Sequence, residues 1–224
     1  MSPCDFQLST RRGRITVAFP HHPDMGAYYV DFTSPTLLYR IHKGGGRKQA
    51  IAKAVGIKQG HALPTILDHT AGFGRDAFVL AALGCRVHMR ERCPPVRELL
   101  ADGLARATKD PEIGEWICER LSLAEDLEGA LPFVPQVVYL DPMYPARKKS
   151  AAVKKESRIL RALAGDDDLN ADLFKQAMAI ATERVVIKRP AAADYFLDHK
   201  PDGIVETPNH RFEIYKRQNY GDLK

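Results

Sequence analysis

The spacing of hydrophobic positions changes character near residue 62 of this chain. Before it, Arg14-Ile-Thr-Val-Ala-Phe19 and Ala27-Tyr-Tyr-Val-Asp-Phe32 alternate apolar with polar residues and are separated by Pro and Gly. Alternation predicts half-buried strands. A helix is expected at Gln49 to Gly56. Residues 1–62 therefore read as a small β-rich N-terminal extension, and residues 63–224 as the main domain.

From Leu63 strands and helices take turns. Thr65 to Asp68 is a short apolar strand ending in a Gly-rich turn, and Arg75 to Leu83 carries apolar residues at helical spacing. Cys85 to Glu91 reads as the second strand, and Pro94 or Pro95 is placed to open a helix running towards Arg106. A helix at Glu112 to Arg120 and a short strand at Leu121 to Ala124 follow. Gln136-Val-Val-Tyr-Leu140 is almost free of polar side chains, as a strand covered on both faces should be. A helix at Ala171 to Thr182, a strand at Arg184 to Lys188, and a hairpin of Ile204 to Glu206 with Arg211 to Arg217 complete the chain. The succession predicts an α/β, Rossmann-like, doubly wound sheet, mostly parallel, with an antiparallel strand at one edge.

Composition narrows the class. At 224 residues the chain can bury one good core, and 45% hydrophobic with 27% charged residues is globular rather than disordered. No run approaches the roughly 18 apolar residues of a membrane span. Met1 to Thr10 lacks the layout of a secretory signal, so a soluble, cytoplasmic protein is expected. Cys4, Cys85, Cys93 and Cys118 have neither zinc-ligand nor disulfide-framework spacing, and no metal is expected. The net charge of +5 favours a polyanionic partner, though many proteins without one look similar. Its distribution says more, because the basic residues gather beside Gly- and Pro-marked loops: Arg11/Arg12/Arg14, Arg40 to Lys48, Arg147 to Arg161, Lys188/Arg189 and Arg211/Lys216/Arg217.

Two loops carry the chemistry. Asp68-His-Thr-Ala-Gly72-Phe-Gly74-Arg75-Asp76 falls where the first strand of the main domain turns into its helix. Glycines there let backbone approach a ligand, and the helix start presents unpaired N–H groups. Gly72-Phe-Gly74-Arg-Asp-Ala77 fits a loose G-x-G-x-x-A, a weak signal alone. Glu91 ends the second strand, where an acid accepts hydrogen bonds from ribose hydroxyls, so the pair points to an adenosine-containing cofactor. Asp126 is placed either for the adenine amine or as a helix N-cap.

The second loop, Asp141-Pro-Met-Tyr144-Pro, directly follows the buried strand. The Asp141 carboxylate and the Pro142 carbonyl can accept both hydrogens of an exocyclic amine. That aligns the nitrogen with a methyl donor and stabilises the positive charge growing on it. Proline stiffens the turn, and Tyr144 can stack on a displaced base. The cations Arg147, Lys148, Lys149, Lys154, Lys155, Lys188 and Arg189 flank this loop and are expected to meet RNA phosphates.

At these residues a family resemblance appears. Asp68-x-Thr-Ala-Gly-x-Gly-Arg-Asp-Ala77, Glu91-Arg92, Leu140-Asp-Pro-Met-Tyr-Pro145, Lys149-Ser-Ala-x-Val-Lys-Lys-Glu156 and Val186-x-Lys-Arg-Pro190 resemble the ribosomal RNA small-subunit methyltransferase J family. So do Gly44-Gly-Gly-Arg47, Ala52-Lys-Ala-Val-Gly-Ile57 and His210-Arg-Phe-x-Ile-Tyr215. The resemblance implies a class I methyltransferase fold and formation of N2-methylguanosine in the 3′ region of 16S ribosomal RNA. It implies S-adenosylmethionine contacts at Arg75, Asp76, Glu91, Arg92, Glu125, Asp126 and Asp141. His69 departs from the family's small residue at that position.

A nicotinamide-dependent oxidoreductase would share the sheet and the Gly loop but gives no reason for Asp141-Pro-Met-Tyr144. An adenine-N6 methyltransferase suits the same turn. A non-enzymatic assembly factor with this fold would need neither the acidic residues nor the glycines.

Overall fold

A computed structural model describes residues 5–143, 155–165, 170–196 and 200–220. The chain opens with an antiparallel hairpin of β1 (Gln7–Arg11) and β2 (Arg14–Ala18). Residues 27–32, expected as a strand, make only an isolated bridge, between Tyr28 and Val17. Their apolar side chains are committed elsewhere: Val30 and Phe32 are buried in the main core, and Arg106 donates to the Val30 carbonyl. Tertiary anchoring here overrides the local preference that alternation signals.

Helix α1 (Pro35–Lys43), with Pro35 at its first position, was not anticipated, and α2 (Ala50–Ala54) follows it. The main domain then runs β3 (Thr65–Asp68), α3 (Arg75–Ala82), β4 (Arg86–Met89), α4 (Pro94–Ala107), α5 (Gly114–Arg120), β5 (Leu121–Leu123) and β6 (Val137–Leu140). Helix α6 (Lys155–Ala164), also unanticipated, and α7 (Ala171–Ile180) lead to β7 (Arg184–Pro190). The hairpin of β8 (Gly203–Glu206) and β9 (His210–Lys216) and a last turn, α8 (Arg217–Tyr220), close the described chain.

Among the described residues seven strands form one sheet in the order β5-β4-β3-β6-β7-β9-β8. Strands β3 to β7 pair parallel, while β9 runs antiparallel to both β7 and β8. This is the doubly wound, Rossmann-like sheet expected, with the antiparallel strand beside its edge. Strand β6 shows why its sequence is so apolar. Val137 and Tyr139 face one buried layer with Ile66, Phe78 and Leu99, while Val138 and Leu140 face the other with Phe174 and Met178. Val17, Phe19 and Phe32 of the N-terminal segment join the first layer. No helix among the described residues is long and apolar enough to cross a membrane.

Candidate active site

The strand order reverses at β3, which has β4 on one side and β6 on the other. Ligands of such sheets bind at the carboxyl ends of the strands beside this switch point. Asp68 and Tyr139 are register partners across β3 and β6, so the two chemistry-bearing loops leave the sheet side by side. They are also bonded to each other. The His69 N–H donates to the Tyr139 carbonyl at 3.0 Å, and the Asp141 N–H donates to the Thr70 hydroxyl at 2.6 Å.

In the first loop Gly72 and Gly74 hold φ of 54° and 72°, the left-handed region that L side chains avoid. A Cβ at Gly74 would also lie 2.8 Å from Leu100 Cδ1 and 3.0 Å from Phe32 Cζ. The buried Glu91 carboxylate ties this loop to the end of β4. It accepts from the Gly72 N–H at 2.8 Å with one oxygen and from the Cys93 N–H at 2.8 Å with the other. Beside it opens a cleft of about 710 Å³, lined by His69, Thr70, Glu91, Arg92, Leu127 and Leu173 among others. That volume is in the range of sites that take drug-sized ligands, about 300–1,000 Å³. Burial and the nearby Arg90 charge push the His69 imidazole down to about 4, leaving it neutral near pH 7. Its Nδ1 is buried without a hydrogen-bond partner among the described residues.

The second loop starts in an ionic cluster. Lys188 Nζ, on β7, lies 2.7 Å from Asp141 Oδ2 and 2.8 Å from Asp76 Oδ2. Asp76 also accepts from the Tyr139 hydroxyl at 2.8 Å and pairs with Arg40 Nη2 at 3.1 Å. The two carboxyls move in opposite directions. Burial pushes Asp76 upward, but the Lys188 and Arg40 charges, with hydrogen bonds from Lys188 and Tyr139, hold it well below the usual carboxylate range. At Asp141 burial dominates, and with the Asp76 charge it outweighs Lys188 and raises the carboxyl. Asp68 is buried beneath them, and burial together with Asp76 raises it strongly. Burial lowers the Lys188 ammonium, but Asp141 and Asp76 more than reverse this and hold it charged.

The remaining expected residues are distributed as follows. Pro142 is buried directly after Asp141. Arg75 pairs with Glu156 on α6, and Arg92 donates to the Ala164 carbonyl at 2.7 Å, so both reach across to that helix. Asp126 accepts from the Glu128 and Gly129 N–H groups at 2.9 and 2.5 Å, closing a turn, and Glu125 borders a separate depression beside α4. Neither lines the cleft. Lys155 Nζ donates to the Ala27 carbonyl at 3.2 Å. Lys188 and Arg189, expected at phosphates, turn inward: Lys188 joins the carboxylate cluster, and Arg189 lies 3.5 Å from the buried Glu213. A charged side chain on a strand beside buried carboxylates gains more from them than from solvent. Tyr144, Arg147, Lys148, Lys149 and Lys154 lie outside the described residues.

Comparison with known proteins identifies the family. A family model described as "Putative SAM-dependent methyltransferase" matches residues 2–217. The ribosomal RNA small subunit methyltransferase J of Photobacterium profundum is 54% identical over 200 residues, covering 85% of this chain and 78% of that protein. The chain belongs to the methyltransferase J family. The protein of the same name from Vibrio parahaemolyticus is 50% identical over 224 residues, covering 94% of this chain and 86% of its own. A solved SAM-dependent methyltransferase from Neisseria gonorrhoeae is 32% identical, with a TM-score of 0.70 over 94% of this chain and 82% of that one.

As a methyltransferase J family member, the chain has a cleft that fits S-adenosylmethionine: the buried Glu91 carboxylate and the His69 Nδ1, unpartnered among the described residues, both border it, and the left-handed Gly turn follows directly after His69 and Thr70. Thr70, Tyr139 and Arg40 went unread in the sequence as members of the site. Tyr139 carried the one available signal, a hydroxyl in an otherwise apolar strand.

Proposed function

We propose that this protein methylates the exocyclic N2 amine of a guanosine in the 3′ region of 16S ribosomal RNA. S-adenosylmethionine is the cofactor, and it supplies an electrophilic methyl group on a sulfonium. Glu91 is the acceptor for the ribose hydroxyls. Both its oxygens accept backbone N–H groups, which fixes the carboxylate at the cleft, and a carboxylate oxygen can accept more than one hydrogen bond. The Gly72–Gly74 turn and Arg75 frame the cofactor's polar tail.

The observation that carries the reading is the place of Asp141, at the switch point and bonded through its N–H to the cofactor loop. An exocyclic amine is a poor nucleophile, because its lone pair is delocalised into the ring. The Asp141 carboxylate and Pro142 carbonyl accept its hydrogens, fix its direction of attack and stabilise the charge that develops on nitrogen. Guanine rather than adenine is supported by the likeness of the motifs around this turn to the methyltransferase J family. RNA as the partner is supported by that family's name and by exposed cations at Lys43, Arg47 and Lys48 near the exposed ring of Tyr39.

The test is transfer of labelled methyl to small ribosomal subunits lacking the modification, followed by digestion to nucleosides. N2-methylguanosine is the expected product. N6-methyladenosine would replace the base assignment, and no labelled nucleoside would remove the enzymatic reading altogether.

A further inference from the structure

The function of Asp141 requires an ionised carboxylate in a place that opposes ionisation. Its side chain is half-buried, and it shares the crevice with the carboxyls of Asp68 and Asp76. Charged and polar groups surround it from several elements. From the end of β3 comes Asp68, from the first turn of α3 Asp76, and beyond β4 Glu91, which acts on Asp68. Strand β6 contributes the Tyr139 hydroxyl, and α1 contributes Arg40, which reaches Asp76. From the start of β9, His210 is close enough to feel Lys188, Asp76 and Arg40. Among these described groups Lys188 is the cation seated on Asp141 itself, at 2.7 Å.

We propose that Lys188 is a positioning residue for methyl transfer, which keeps Asp141 ionised and aims its free oxygen at the amine. Lys188 is itself held from both ends. Asp76 takes it at 2.8 Å, and Asp76 is oriented in turn by Tyr139 and Arg40. The ammonium therefore cannot follow Asp141 outward, nor drop away from it, without breaking a second ion pair. With Asp141 Oδ2 taken by Lys188, Oδ1 is the oxygen left for an amine hydrogen. The parallel register of β6 and β7, with Leu140 opposite Ile187, is what brings positions 141 and 188 together. The arrangement also accounts for an inward-facing lysine in a basic segment that the sequence places among phosphate contacts.

The proposal rests on the reading of Asp141 as the amine's acceptor, and the experiment separates the two. Single-turnover methylation of unmodified small subunits is measured from pH 5 to 9 in wild type, Lys188→Met, Lys188→Arg and Asp141→Asn. In Lys188→Met the acidic limb should move to higher pH by about one to three pH units, the usual influence of an adjacent opposite charge. Its rate should recover substantially at the alkaline end, and cofactor affinity by calorimetry should change much less than turnover. Lys188→Arg, which keeps the charge, should keep the limb near its wild-type position. Arg40→Met, at a more exposed side chain, should move the limb the same way by less, and it serves where Lys188→Met does not fold. A loss in Lys188→Met that is equal at every pH, with Asp141→Asn inactive, overturns the role of Lys188 and leaves that of Asp141 standing. A weaker salt dependence of RNA binding with an unmoved limb also overturns it, and makes Lys188 a phosphate contact. Near-normal turnover in Asp141→Asn sinks the underlying reading instead.

Discussion

The carboxylate of Glu91 and the backbone N–H of Gly72 are joined by a hydrogen bond of 2.8 Å across 19 residues of sequence. The same side chain accepts from Cys93, so it shapes the cleft as well as facing it. Glu91→Ala should therefore have two effects. Cofactor binding should weaken by about 1–3 kcal/mol, the range for charge-assisted hydrogen bonds. Thermal stability should also fall, because two buried N–H groups lose their acceptor. Calorimetric titration beside a thermal melt reads both. Unchanged affinity in a folded variant takes Glu91 out of the cofactor site.

Asp141→Asn keeps shape but places an NH₂ where an acceptor is needed. Turnover should fall by at least about a hundredfold, the scale of one lost oxyanion-type group. Cofactor affinity should move much less if the carboxylate acts on the amine as proposed. Single-turnover rates and equilibrium binding, measured together, separate these effects.

Electrostatic docking on RNA should come from cations that face solvent. Lys43, Arg47 and Lys48 are exposed, whereas Lys188 is held by carboxylates. Triple substitution of the three by alanine should make binding to small-subunit RNA less salt-dependent. The expected fall in slope is about 0.7 to 0.9 per lost phosphate contact in a plot of log affinity against log salt. An unaltered slope would make these residues a solvated face and nothing more.

Glu213 is fully buried on β9. It pairs with Arg211 at 2.5 Å and accepts from the Tyr215 hydroxyl at 2.7 Å and the Phe196 N–H at 3.1 Å. Glu213→Ala leaves the buried Arg211 guanidinium without this counter-ion and should cost about 3–5 kcal/mol of stability. Glu213→Gln retains one acceptor and should cost less. Denaturant unfolding measures this, and a loss below about 1 kcal/mol, typical of exposed pairs, would mean that water screens the cluster.

The alternation of strand and helix from Thr65 onward, the glycines before α3, the acid after β4 and the Asp-Pro after β6 were legible in the sequence. Each is a local requirement: a buried parallel strand must be apolar, and a tight turn beside a ligand excludes side chains. Pro35 after Ser34 is also a helix start by local chemistry, since proline suits the first helical position. Residues 27–32 were not legible, since their alternation means a strand only where a partner strand is available, and the core claims Val30 and Phe32 instead. Lys188 shows the limit most clearly. Its partners Asp141 and Asp76 stand 47 and 112 residues away, and nothing local distinguishes it from a lysine bound for solvent. Sequence determined which chemical groups the chain carries and which turns present them. Only the order of strands in the sheet decided that β7 lies beside β6, and with that neighbour Lys188 meets two carboxylates instead of water.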